Sequence, residues 1–453
     1  MNTKLLAAIM LTFCSAAASA HGRICSFETA APAADSPAQT AAQTGYIPTE
    51  ENLQRRAEFE GFRLGIFIHW GIYSTFAQGE WYLSSGLDKE EYAKAADAFY
   101  PHRFDADAWV QAIKDAGAGY ITFTTRHHDG FSMWDTRQSD YNIVRATPFG
   151  RDVLKELCEA CLKEGIRLHL YYSLLDWIRD DYPAGRTGRR AGRDTGDYDS
   201  YFSFMKRQLH ELLTEYGPVG GLWLDGWWDH KDEAEPFDWR MTELYGYLHA
   251  LRPELLIGNN HHVAPIDGED FQMFERDLPG ENTAGFSAGQ QISRLPLEMC
   301  QTMNGMWGYK VSDTKYKSTD ELITLIVRAA AKGSNLLLNI GPQPNGELPA
   351  AALDRLRGIG QWMRRYGHSI RNTSGGSLSG HWGVSTCSGN TLYLHVLDRT
   401  ARSLTVSLSG RPRSVRLLDG RESQWHYDKR SATLEISLPE HDADVDCIVT
   451  IVR

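Results

Sequence analysis

Residues 65–71 read GIFIHWG, 120–128 read YITFTTRHH, 167–173 read RLHLYYS and 221–226 read GLWLDG. Each is a short, nearly unbroken apolar run that ends in polar or ionisable residues. A strand with one wet face alternates, so an unbroken run predicts a strand buried on both faces, as in a parallel sheet. Working outward, LLIGNN (255–260), FQMFE (271–275), MWGY (306–309) and NLLLNIG (335–341) extend the series to eight strands. Between them lie stretches with helical spacing, among them AWVQAIKDAGA (108–118), DVLKELCEACLKEG (152–165) and SYFSFMKRQLHELLTEY (200–216). Eight strand–helix alternations over about 310 residues predict a (β/α)8-like, TIM-type barrel, with a doubly wound open sheet as the alternative. No glycine-rich phosphate loop follows the first strand, which argues against a dinucleotide-binding version of that alternative.

Beyond residue 372 the pattern changes. NTLYLHVLD (390–398), SLTVSLSG (403–410), SVRLLDG (414–420), ATLEISLP (432–439) and DCIVTIVR (446–453) alternate and are separated by turn residues. This predicts a C-terminal antiparallel β-sandwich over 373–453, with the barrel over 48–372. At the other end, MNTKLLAAIMLTFCSAAASA (1–20) has a positive start, a short apolar run and a small-residue cleavage pattern. It reads as a signal peptide cleaved after Ala20, so the protein is expected to be exported, periplasmic or secreted. The run is too short to span a membrane. Residues 21–47, rich in Ala, Pro, Thr and Gln, read as a flexible linker.

The 453 residues are 42% hydrophobic and 23% charged, an ordinary globular composition, and carry a formal charge of −11, which argues against nucleic acid as a partner. Seven cysteines without regular spacing make no disulfide scaffold. Cys158 and Cys161 read as two small apolar side chains on one buried helix face. The insert 178–199 balances Arg with Asp and reads as a solvated loop. The 13 tryptophans are numerous, and pyranose faces are one partner for exposed indoles.

In a barrel of this kind chemistry sits at the C-terminal ends of the strands. Those ends carry His69, then His127 and His128, Tyr171 and Asp176, Asp225, Asn259, Asn260 and His261, Glu275, Glu298 and Asn339. Trp81, Trp134, Trp177, Trp223, Trp227, Trp228 and Trp307 lie near them in sequence. Carboxylates, imidazoles and indoles on one face make a sugar site. Asp225 is the sharpest candidate, since it ends an apolar run and a buried Asp is costly unless paired or used. Glycoside hydrolysis needs a second carboxyl group. Glu275, Glu281 and Glu298 are the candidates, and Glu275, at the end of the sixth predicted strand, is favoured by position. The histidines read as hydrogen-bonding groups for sugar hydroxyls. As metal ligands they fit poorly, because His127 and His128 would point opposite ways in a strand. A non-catalytic glycan-binding protein and a metal-dependent barrel hydrolase are the competing functions.

The motifs GIFIHWGIYS (65–74), EWY (80–82), TTRHHDGFSMWDT (124–136), RDVL (151–154), YYSLLDW (171–177), LWLDG (222–226), WGY (307–309) and LLLNIGP (336–342) resemble the α-L-fucosidases of glycoside hydrolase family 29. The resemblance implies exo-acting, retaining release of α-L-fucose from fucosylated oligosaccharides or glycoconjugates, on a distorted barrel with a β-sandwich. It implies no metal and no cofactor. Asp225 falls on the family's nucleophile. His69, His127, His128, Tyr171 and Trp223 fall on residues that bind fucose, and Glu80 and Trp81 match the EWY element and are placed with them. The acid/base lies in the family's most variable stretch; following the strand after GNN places it at Glu275. Glu298, in the LExC/WExC element, is the fallback and otherwise stands among the substrate-binding residues. Some relatives carry an Arg after the fifth strand; here GNNHH leaves that contact to His261 or leaves it missing.

Overall fold

The computed structural model describes residues 45–183, 185–188, 196–442 and 445–453. The expected signal peptide, most of the linker and part of the 178–199 insert lie outside the described residues.

Eight strands form one parallel sheet: β1 (Leu64–Ile68), β2 (Tyr120–Arg126), β3 (Arg167–Ser173), β4 (Val219–Asp225), β5 (Leu256–Asn259), β6 (Gln272–Glu275), β7 (Leu297–Thr302) and β8 (Ser334–Ile340). Their order is β5-β4-β3-β2-β1-β8-β7-β6, so the sheet curls into a barrel whose two ends, β5 and β6, share no ladder. Every residue of β1, β2 and β8 is buried, which is what an unbroken apolar run requires. One face of the strands fills the barrel interior with Phe67, Tyr120, Tyr171, Trp223, Met273, Cys300 and Leu337. The other face packs on the surrounding helices. Gly65 makes room inside: a Cβ there would collide with the Tyr120 ring.

The helices follow from capping and amphipathicity. Val153–Glu164 starts at Asp152, whose side chain accepts from Lys155 N, and stops at Gly165 with φ 71°. It buries Val153, Leu154, Leu157, Cys158, Ala160 and Cys161, so both cysteines, which are free, serve as apolar side chains. Full burial of each leucine contributes roughly 1.5–3 kcal/mol. Thr319–Ala331 begins with a capping box between Ser318 and Glu321.

Two expectations are corrected. Strand–helix alternation lapses after β5: neither 260–271 nor 276–296 contains a helix. Both stretches are rich in Pro, Gly, Asp and Asn, which break helices, and they are free to rise over the mouth. The seventh strand is Leu297–Thr302, not 306–309. Its Glu298 and Gln301 interrupt the apolar pattern. The 306–309 stretch is instead a crossing loop, tied to the loop after β1 by Gly79 N→Tyr309 O at 3.0 Å.

The last helix, Ala350–Tyr366, leads into eight short strands: β9 (Ser374–Gly375), β10 (Gly383–Ser388), β11 (Thr391–Val396), β12 (Ser403–Ser407), β13 (Ser414–Leu417), β14 (Trp425–Asp428), β15 (Thr433–Ser437) and β16 (Cys447–Val452). They form antiparallel sheets of order β13-β16-β11-β10-β9 and β12-β15-β14, packed around their own core of Leu392, Leu394, Val449, Leu434 and Ile436. No helix among the described residues is long and apolar enough to cross a membrane.

Candidate active site

A cavity of about 590 Å³ opens at the C-terminal ends of the strands. His69, Glu80, Trp81, His127, His128, Tyr171, Trp223, Asp225 and Glu275 line it, as do Trp228, Asn260, His262, Arg276, Phe286, Cys300 and Trp307. Of the residues placed at the nucleophile, acid/base and fucose-binding positions, all but Glu298 thus converge; of the other candidates, Asp176, Asn259, His261, Glu281 and Asn339 do not line the cavity.

Asp225, the last residue of β4, accepts three hydrogen bonds. Trp228 Nε1 donates to Oδ1 at 3.0 Å, Asn260 Nδ2 to Oδ1 at 3.3 Å, and Tyr171 Oη to Oδ2 at 3.0 Å. Burial, and then the charge of Glu275, push its carboxyl up to about 6. It therefore remains mostly ionised at neutral pH.

Glu275 ends β6, across the gap in the sheet. Its Oε2 accepts from Asn260 Nδ2 at 3.0 Å and pairs with His262 Nε2 at 3.0 Å. Burial pushes Glu275 up, but the bonds to His262 and Asn260 and the charge of Arg276 outweigh it and hold the group below the usual carboxylate range. One amide nitrogen thus serves both acids, so the oxygens it joins stand no further apart than its two bonds together, about 6.3 Å. His261 does not line the cavity: its Nε2 pairs with buried Glu269 at 2.9 Å, and the neighbouring His262 is the histidine that meets Glu275. His262 holds φ 64° and its ring lies 5.2 Å from that of Phe286.

His69, His127 and His128 are neutral, and partners fix the tautomers of His69 and His128. Ser173 Oγ donates to Leu175 O at 2.6 Å, so it accepts from His128 Nδ1 at 2.8 Å. His128 Nε2 is then a bare acceptor, facing Asp225 Oδ2 at 3.5 Å. Both are acceptors, so no hydrogen bond joins them and the nitrogen is left to take a donor from a ligand. His69 Nδ1 bonds Asn339 Oδ1 at 2.6 Å, and Asn339 Nδ2 donates to Trp307 O at 2.7 Å. Burial lowers His69 and His128 to about 3, and His127 well below its ordinary value. β2 stops at Arg126, so His127 and His128 lie beyond the pleat. The alternation expected of them does not apply, and both reach the cavity.

Aromatic rings close the walls. Tyr171 stacks on Trp223 at 5.5 Å and 25°, and Trp81 stacks on Trp228 at 5.6 Å and 21°. Glu80, beside Trp81, accepts from Gly308 N at 2.7 Å, and burial raises its carboxyl. Trp134, Trp177 and Trp227, grouped with the mouth by sequence, do not line the cavity. Trp134 and Trp177 are core residues. Glu298 lies beneath the floor. It accepts from Trp223 Nε1 at 2.7 Å and from Tyr120 Oη at 2.5 Å, and burial raises it to about 7. It steadies the indole rather than meeting a ligand. Among the described residues no three His, Cys, Asp or Glu side chains are grouped to hold a metal ion.

Asn260 stands among the strand-end residues that position singles out, though with no role assigned, whereas His262 does not. The polar run GNNHH after β5 was their signal, and only the turn after Asn260 decides which histidine faces Glu275.

Paired carboxyls, neutral imidazoles and indoles at a barrel mouth define a glycoside hydrolase. Residues 33–368 match the family described as Alpha-L-fucosidase, and the chain belongs to that family. Among solved structures it resembles α-L-fucosidase isoenzyme 1 from Paenibacillus thiaminolyticus, with 33% identity, 89% of this chain and 99% of that chain covered, and a TM-score of 0.77. It also resembles an α-L-fucosidase from Bacteroides thetaiotaomicron trapped as a covalent intermediate with 2-fluoro-fucosyl fluoride. There the identity is 26%, with 90% and 97% of the two chains covered and a TM-score of 0.76. The plasma α-L-fucosidase of Rattus norvegicus is 29% identical over 363 residues, 72% of this chain and 73% of the relative.

Proposed function

We propose that the protein is an exo-acting, retaining α-L-fucosidase in which Asp225 is the nucleophile and Glu275 the general acid and base. The observation that carries this reading is the Asn260 amide shared by the two carboxylates. It supports the short spacing of roughly 5–5.5 Å used for double displacement, rather than the 6.5–9.5 Å that leaves room for a water in inverting enzymes. The covalent intermediate trapped in the Bacteroides relative supports the same reading.

In the first step Asp225 Oδ attacks the anomeric carbon as Glu275 Oε1, the oxygen not engaged by Asn260 and His262, gives its proton to the leaving oxygen. In the second, Glu275 takes a proton from water, which displaces Asp225 and frees fucose with its configuration retained. Trp228, Asn260 and Tyr171 hold the carboxylate of Asp225 in line. The acceptor nitrogens of His69 and His128 take hydrogen bonds from sugar hydroxyls, and Trp223 and Trp307 offer apolar faces. In the empty site Asp225 has the higher proton affinity of the pair. Glycosylation therefore draws on the minority form with the proton on Glu275, and the two groups titrate as one system.

The test is turnover of an aryl α-L-fucoside. Asp225→Ala abolishes it while the fold and sugar binding survive. Glu275→Ala loses natural glycans, keeps part of its activity on good leaving groups, and is rescued by azide with formation of the α-fucosyl azide, the azide displacing Asp225 from the face vacated by the leaving group. Near-normal turnover by Asp225→Ala would end the assignment. The leader-like residues 1–20 support export. A mature N-terminus at His21 in the exported fraction is the expected result, and an intact Met1 in the cytosol would refute it.

A further inference from the structure

Fucose is uncharged, yet the outer wall of its cavity is cationic. Arg186, Lys231 and Arg276 all line it. The carboxylates in the same lining are committed elsewhere: Asp225 and Glu275 to catalysis, Glu80 to Gly308 N. The chain as a whole carries −11, so a cationic rim is not a sample of the average surface.

Two of these side chains are held on the indoles that wall the sugar site. The Arg276 guanidinium lies 5.2 Å from the Trp307 ring, and its Nη2 donates to Gly305 O at 3.0 Å. Among the described residues no carboxylate forms an ion pair with it. Arg276 is also left-handed, with φ 60°, a conformation that costs a residue with a Cβ and that concentrates at functional sites. The Arg186 guanidinium lies 5.3 Å from the Trp228 ring, with Asp232 at a loose 3.7 Å. Its loop is clamped by buried Asp229. Tyr182 Oη donates to that carboxylate at 2.8 Å, Thr187 N at 2.7 Å and Thr187 Oγ1 at 2.6 Å, while Arg186 N reaches Asp229 O at 2.8 Å. Lys231 is exposed and forms no ion pair among the described residues.

The position of these cations decides what they meet. A proton from Glu275 goes to the leaving oxygen, so the leaving group departs past Glu275, and Arg276 is its neighbour in the chain. We propose that Arg276, Lys231 and Arg186 form a subsite for an anionic substituent, a sulfate ester or a carboxylate, on the sugar from which fucose is released. Guanidinium forks suit both oxyanions. The proposal rests on the fucosidase reading above.

The experiment compares kcat/KM for three fucosyl disaccharides alike except in the leaving sugar, which is neutral, sulfated or a uronic acid, with an aryl α-L-fucoside as reference. Partly exposed ion pairs of this kind are each worth up to about fivefold, so two or three give a preference of about three- to tenfold for a charged leaving sugar at low salt. The ratio falls toward one in Arg276→Gln and in Lys231→Gln. It also falls in ~1 M salt, where the screening length shrinks to about 3 Å. The ratio isolates the subsite from any change in Glu275 itself, and the sulfated and uronic arms identify which anion is preferred. Turnover of the aryl fucoside without a charge preference, or a preference untouched by both variants, overturns the subsite alone. Absence of turnover on every fucoside overturns the fucosidase reading and the subsite with it.

Discussion

Glu298, buried, and Glu275, partly exposed in the cavity, are the two candidate partners for Asp225 that follow it on strands, and Glu298→Gln tells them apart. The structure makes Glu298 a support under Trp223, with its carboxyl raised by burial from 4.5 to about 7. Below pH 4.5 the group is protonated in both the folded and the unfolded chain and contributes nothing to a pH dependence. As pH rises past 4.5 the unfolded chain ionises while the fold keeps its proton, so stability falls until about pH 7. Each tenfold difference in proton affinity is about 1.4 kcal/mol, which makes the loss about 3 kcal/mol. Glutamine has no such titration. It accepts from Trp223 Nε1 through its oxygen, and its amide donates to Tyr120, whose hydroxyl turns. The expected result is a melting-temperature difference between variant and wild type that moves in favour of the variant between pH 4.5 and 7.5. For a barrel of roughly 320 residues, 3 kcal/mol corresponds to about 4 °C. Turnover of an aryl fucoside stays within about tenfold of wild type, whereas Glu275→Gln with a poor leaving group loses about a hundredfold or more. A difference in melting temperature that stays constant with pH would refute the argument, and so would loss of turnover matching that of Glu275→Gln.

Replacing His262 by Gln keeps a hydrogen-bond donor but removes the charge that holds Glu275 low, so Glu275 retains its proton to higher pH. Because Glu275 is the lower of the coupled pair, the acid limb of kcat/KM moves upward and the active protonation form becomes more populated; an unmoved acid limb counts against His262 as the positioning partner. Trp228→Phe removes a donor at 3.0 Å from Asp225 Oδ1. The carboxyl rises further above about 6, the alkaline limb moves to higher pH, and kcat falls about tenfold, as loss of a hydrogen bond to a charged group implies. Asp229→Ala strands Tyr182 and Thr187, at a local cost of about 2–4 kcal/mol. Limited proteolysis between 182 and 188 speeds up while the global melting temperature changes far less, and equal change in both would show that the loop is not a local unit.

The barrel was legible because β1, β4 and β8 are buried on both faces and so contain little but apolar residues. β7 was not, because a strand that carries Glu298 into the barrel interior looks polar until Trp223 and Tyr120 are seen to satisfy it. The helix-free stretches after β5 and β6 were masked by the regular alternation before them. At the site, residues fixed by strand ends, such as His69, Tyr171 and Asp225, could be placed by counting. His262 could not, since the choice between adjacent histidines depends on one left-handed residue in a turn. The rim cations were also out of view, because their meaning comes from which cavity they share rather than from spacing along the chain.

The unpaired edges of β5 and β6 have a consequence for how such an enzyme can change over time. Asp225 and Glu275 stand on opposite sides of that seam, and no strand ladder crosses it. Asn260 bridges it at the top. At the bottom Asp270 N bonds Ile257 O at 2.7 Å and its carboxylate accepts from Ile257 N at 2.7 Å. The distance between the two acids is therefore not built into a continuous ladder. Insertions in the segment bearing the proton donor can be absorbed without unzipping the scaffold that carries the nucleophile, so new leaving groups can be accommodated while the half that grips fucose stays as it is.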